Sequence, residues 1–114
     1  MAMKLSSVGT VIVTRVLTRS KGKKVTVAIG KPRKFRNGSD YYCPFRIMGM
    51  GDEQVRYSGG VDTVQALQLA LQQIGTRLYS SEEAKTGKLS WDGGSTKGDL
   101  GFPVPDVIRD LLPK

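Results

Sequence analysis

The 114-residue chain contains no histidine. That removes the usual metal ligand and the usual proton shuttle near neutral pH. Cysteine occurs once, as Cys43, so neither an intramolecular disulfide nor a CxxC metal or redox site can form. A lone thiol suits a reducing cytoplasm, which is the expected location. No apolar run approaches the ~18 residues that a membrane span needs. The opening stretch MAMKLSSVGTVIVTRVL has only a short apolar run, alternating with Thr and meeting Arg15, so it reads as a strand rather than a secretion signal. The glycines around positions 49–51 and 93–98 lack the GxxxxGK[ST] spacing of a phosphate-binding loop, and Lys97 is not followed by Ser or Thr. These absences lead us to expect no enzyme activity, no cofactor, no metal and no membrane partner.

Positive charge is abundant and unevenly placed. Of the net +8, residues 1–40 carry ten Lys/Arg against Asp40 alone, giving +9, whereas residues 41–114 carry eight against nine Asp/Glu, giving −1. An anionic partner would meet the N-terminal third. Its densest stretch is KPRKFRNGSD (31–40), where Lys31, Arg33, Lys34 and Arg36 surround Pro32 and Phe35. Pro32, Asn37 and Gly38 punctuate this stretch, so it reads as a loop. A second cluster, Lys21, Lys23 and Lys24, stands at the other end of the intervening strand, roughly 20 Å away at strand rise.

The length fits one domain, residues 1–114. Residues 8–17 and 24–30 are β-branched and read as a hairpin. Residues 41–48 follow, with Tyr41, Cys43, Phe45 and Ile47 on one face and Pro44 demanding an edge or a bulge. Residues 53–58 make a fourth strand. The next segment repeats Val64, Leu67, Leu71, Ile74 and Leu78 at helical spacing, with Asp62 as N-cap, Gln65 completing a capping box and Val61 as a staple to Ala66. KLSWDGG suggests a further short strand, and PDVIRDLLPK a short closing helix capped by Asp106. The expected class is α+β: an antiparallel four-stranded β-meander packed on one long α-helix, with a short C-terminal strand/helix extension.

At GVDTVQALQLAL (60–71), KLSWDGG (88–94) and GFPVP (101–105) the chain resembles an uncharacterised family of small bacterial domains. Its marks are a GVDxxQAL helix start after strands, a Trp near a Gly pair and a Gly-Phe-Pro tail. The resemblance implies a β-rich half followed by a helix and transfers no function or site residue.

Cys43 falls on the inward face with no histidine to activate it, so it reads as a structural thiol. Asp52/Glu53 and Glu82/Glu83 sit in polar sequence where solvated charge is the default. Two binding surfaces remain. One is the basic stretch Lys31, Arg33, Lys34, Phe35 and Arg36; the other is the uncharged helix face Gln65, Gln68 and Gln72. The preferred reading is a non-enzymatic, protein-directed inhibitor, immunity protein or adaptor that meets an acidic protein partner. The alternative is a single-stranded nucleic-acid-binding protein in which residues 31–36 grip phosphates and Phe35 stacks on a base.

Overall fold

A computed structural model describes residues 3–104. In chain order it contains β1 (Val11–Thr18), a 3-10 turn (Ser20–Gly22), β2 (Lys24–Gly30), β3 (Arg33–Lys34), β4 (Tyr41–Met48), β5 (Arg56–Gly60), α1 (Thr63–Tyr79) and α2 (Glu82–Lys85). The class is α+β, as read from the sequence. The expected closing helix in PDVIRDLLPK (105–114) lies outside the described residues.

Strand β4 is the centre of the sheet, because β2, β3 and β5 all pair with it antiparallel. Along one edge Ile29 faces Phe45 and Arg33 faces Tyr42. Three residues, 30–32, therefore stand against two, 43 and 44. This is a β-bulge, and β3 is the continuation of β2 beyond it. The other edge is taken by β5 in unbroken register from Tyr41↔Gly60 to Phe45↔Arg56. Strand β1 flanks β2 and ends the order. The four-stranded meander is thus present, with β2 and β3 as two arms of one bent strand.

The chain divides into two compact units, one comprising residues up to Arg15 with Thr26–Ala70, the other Val16–Val25 with residues from Leu71 on. In the first unit Val27, Ala28, Ile29, Cys43, Phe45, Ile47, Ala66 and Ala70 are buried. In the second unit the buried set is Leu17, Val25, Ile74, Leu78, Tyr79, Leu89, Leu100 and Phe102. There the Leu100 N–H donates to the Tyr79 hydroxyl at 2.9 Å, and a Cβ on Gly75 would collide with the Pro103 carbonyl.

Helix α1 starts as its sequence requires. The Gln65 N–H donates to Asp62 Oδ1 at 2.8 Å, and Gln65 Oε1 accepts from the Val61 N–H at 2.8 Å. The side chain of Gln65 reaches one residue further back than in the usual capping box. Val61 is exposed and makes no staple. The buried stripe is also turned from the one expected. Ile74 and Leu78 are buried, Leu67 and Leu71 are half-buried, and Val64 is 61 % exposed. Ala66 and Ala70 take the inward positions instead. Close approach explains this: a Cβ on Gly60 would strike the backbone nitrogen of Ala66, so the helix start sits down on the end of β5 through small residues.

Two further expectations are corrected. The fourth strand begins at Arg56, not residue 53, because Asp52 and Glu53 are consumed by the preceding turn. The Gly49 N–H donates to Glu53 Oε2 at 3.0 Å, and the Gln54 N–H donates to Asp52 Oδ1 at 3.1 Å. The Gly59–Gly60 pair ends that strand and admits the helix. Around Leu89 and Trp91 only an isolated bridge forms, between Ser90 and Thr18.

The rotated stripe gives a stability test. Gly60→Ala should destabilise the protein by about 1–3 kcal/mol, since the clash is with backbone that cannot swing aside. Val64→Ala should change stability by less than about 0.5 kcal/mol, as an exposed site. Urea unfolding of both variants checks the ordering, and the reverse ordering would restore the Val64-centred face.

Candidate functional site

The stretch KPRKFRNGSD is not a loop. Arg33 and Lys34 pair with Tyr42 and Tyr41, the Phe35 N–H donates to the Asp40 carbonyl at 2.9 Å, and the Gly38 N–H reaches the Phe35 carbonyl at 3.4 Å. It is a hairpin whose tip is residues 36–39. Lys31 and Pro32 lie in the bulge, and the Lys31 N–H donates to the Thr10 carbonyl at 2.8 Å.

Pairing fixes the faces. Directly opposed residues point to the same side of a sheet. Arg33 and Gly59 both oppose Tyr42, Phe35 opposes Asp40, and Tyr57 opposes Pro44. Arg33, Phe35, Tyr42 and Tyr57 therefore share the face opposite Cys43, Phe45 and Ile47. The three rings pack together, with Phe35–Tyr42 centroids 5.1 Å apart and Tyr57 edge-on to both at 6.0 Å. All three rings are half-buried.

The N-terminal segment runs against this face. The Met3 N–H donates to the Tyr57 hydroxyl at 3.1 Å, and the Arg33 guanidinium lies over Gly9, 3.4 Å from where a Cβ would stand. The Val8 carbonyl occupies the place a Cβ on Gly30 would take. Between this segment and the basic arm lies an open groove of about 930 Å³, lined by Lys4, Lys31, Arg33, Lys34 and Arg36 together with Tyr42 and neutral residues. No carboxylate among the described residues lines it. Among the described residues these five side chains have no ion-pair or hydrogen-bond partner. All five side chains are exposed and line one open groove, so their fields add at an anion there more than those of scattered lysines would.

The structure thus brings Lys31, Arg33, Lys34 and Arg36 together and places Phe35 in the adjoining aromatic cluster. It adds Lys4, Tyr42 and Tyr57, which sequence reasoning did not single out. The alternation along residues 41–48 already set Tyr42 apart from the inward Cys43, Phe45 and Ile47. Lys4 carried no signal, because its segment is held by contacts at Gly30 and Tyr57. Lys21, Lys23 and Lys24 are not among the groove residues.

Of the glutamines, Gln65 spends its side-chain oxygen on the helix start, while Gln68 and Gln72 are exposed on α1. Cys43 is buried, its thiol donating to the Gly30 carbonyl at 3.6 Å, and burial pushes its pKa from 9.0 up to about 11. The carboxylate pairs have structural partners: Asp52 binds Arg56 at 2.6 Å, and Glu83 lies 3.5 Å from Arg19. No group of three or more potential metal ligands occurs among the described residues, and no described helix is long and apolar enough to cross a membrane.

Over residues 13–104 the chain matches the model of a family described as Domain of unknown function (DUF6968), and it belongs to that family. No curated protein and no solved structure matches it. The matched span contains the hairpin, its aromatic cluster and α1, and leaves out Lys4.

The buried thiol generates a pH test. A neutral thiol in the fold binds its proton more tightly than in the unfolded chain, so its contribution is fully present below pH 9. It is lost as pH rises through about 11. Wild type should therefore lose stability relative to Cys43→Ala across that window, with parallel curves below it. Curves that stay parallel to the top of the range would place the thiol in water.

Proposed function

We propose that this member of the DUF6968 family is a non-enzymatic binding domain whose basic groove takes single-stranded nucleic acid. The observation that carries the reading is the groove itself: five cations, no lining carboxylate among the described residues and a tyrosine continuous with two further rings. Phosphates would bind Lys4, Lys31, Arg33, Lys34 and Arg36. A base would lie against the half-exposed surface of Phe35 or Tyr42, because stacking on an aromatic ring is tolerant of sequence. A duplex has its bases already stacked, so it would use only the charges. The absence of histidine and the inert setting of Cys43 support a binding role over a catalytic one.

The protein-directed reading keeps one specific support. Val61, Val64 and Leu69 are exposed beside Gln65 and Gln68 on the start of α1. That surface offers apolar contact without the desolvation cost of charge. The acidic partner expected from the sequence would meet the groove rather than this helix face, so the two halves of that reading call on different surfaces.

Titration of the chain with a fluorescent single-stranded oligonucleotide tests the proposal. Log affinity should fall with log salt at a slope of about −0.7 per phosphate engaged, so about −3.5 for five. Changing Lys31, Arg33, Lys34 and Arg36 to Gln should flatten the slope toward a single contact. Phe35→Ala should weaken single-strand binding by about 1–3 kcal/mol while leaving duplex binding unchanged. Binding that is absent at low salt, or indifferent to the four Gln changes, would overturn the reading. A loss confined to variants at Val64 and Gln68 in a protein-capture assay would favour the helix face.

A further inference from the structure

The outermost strand, β1, has an uncovered apolar stretch. Val11, Ile12 and Val13 are 46 %, 45 % and 50 % exposed, and Thr14 is exposed as well. Successive residues of a strand point to opposite faces, so this stretch is apolar on both. Strand β1 also ends the sheet order, which leaves one row of its backbone N–H and C=O groups without a strand neighbour among the described residues, apart from the bridge of Thr18 to Ser90. Proteins usually blunt such an edge with lysine, proline or a covering segment. Residues 11–14 contain none of these, although Arg15 and Arg19 follow.

We infer that β1 is an interface between two copies of this chain, pairing antiparallel across a two-fold axis within residues 11–14 to make one continuous sheet. Backbone groups on a sheet edge specify a strand as the occupant. The side chains specify which strand. An acidic segment would be drawn to the groove, whereas residues 11–14 are uncharged and match an uncharged β-branched stretch, as the same four residues of a second copy are. Self-pairing is also isologous, so the edge of one copy satisfies the edge of the other and the assembly closes at two. With the axis near Val13, valine meets valine across the strands, Ile12 meets Thr14, and the two Arg15 side chains are carried apart. This avoids a like-charge cross-strand pair. Thr10, which lines the groove, leads directly into β1, so the pairing would set two grooves on one sheet.

Sedimentation equilibrium of the intact chain, without nucleic acid, tests the interface independently of the proposed function. The expected result is a mass rising with concentration to twice 12.4 kDa. Amides of residues 11–14 should exchange with solvent more slowly as concentration rises. The Ile12→Lys/Val13→Lys variant should raise the dimer dissociation constant at least about tenfold, with far-UV dichroism unchanged. Thr14→Lys, at a position already exposed, gives a second reading should the double variant fold poorly. Leu69→Lys, on the exposed side of α1, should leave the dimer intact. A wild-type chain that stays monomeric to submillimolar concentration would overturn the interface, as would a dimer that survives both β1 variants or dissociates only on Leu69→Lys.

Discussion

The bulge in which residues 30–32 face Cys43 and Pro44 is the constraint on which the rest depends. Alternate residues of β4 send their backbone groups to the same edge, and Asp40 sends its carbonyl to Phe35. Pro44 therefore presents its missing N–H to that edge, where a regular ladder would demand a donor. The extra residue on the facing strand removes the demand. It leaves the Gly30 carbonyl to the Cys43 thiol and frees the Lys31 N–H for Thr10. Because residue 30 has no side chain, the Val8 carbonyl can settle on it, which draws the N-terminal segment across the face. One irregularity thus seats a buried proline, a buried thiol and one wall of the groove.

Much of this was legible in the sequence. Residues 24–30 and 41–48 alternate cleanly, and their strands have those bounds. Asp62 caps where a capping residue was expected. Pro44 announced an edge or a bulge, and the pairing shows the bulge. The misreadings share a cause, which is that they depend on close approach between segments rather than on local pattern. Residues 33–34 are too short to show a period, and Pro32 resembles a breaker when it in fact sits where no ladder bond is needed. On α1, leucine and valine spacing suggested one stripe, but contact at Gly60 favours Ala66 and Ala70.

The candidate site was half legible. Four cations and one ring in six residues marked the segment, yet a strand arm and a loop would have presented them differently. On a strand, Arg33 and Phe35 share a side, and cross-strand pairing brings Tyr42 and Tyr57 to the same side. Single-chain periodicity cannot supply that partner strand, nor can it supply Lys4, whose segment is held by contacts at Gly30 and Tyr57.

Five like charges gathered along one groove, with no carboxylate among its described residues, repel, and the folded state bears that repulsion while the unfolded chain relaxes it. Small anions that gather there would screen it, and any that bind only the fold would raise its melting temperature by mass action. The domain's thermal stability is therefore a property of its buffer as well as its core. It would be least stable in dilute cationic or zwitterionic media and firmer in phosphate or sulfate, so a stability figure for this chain has meaning only with the anion and its concentration attached.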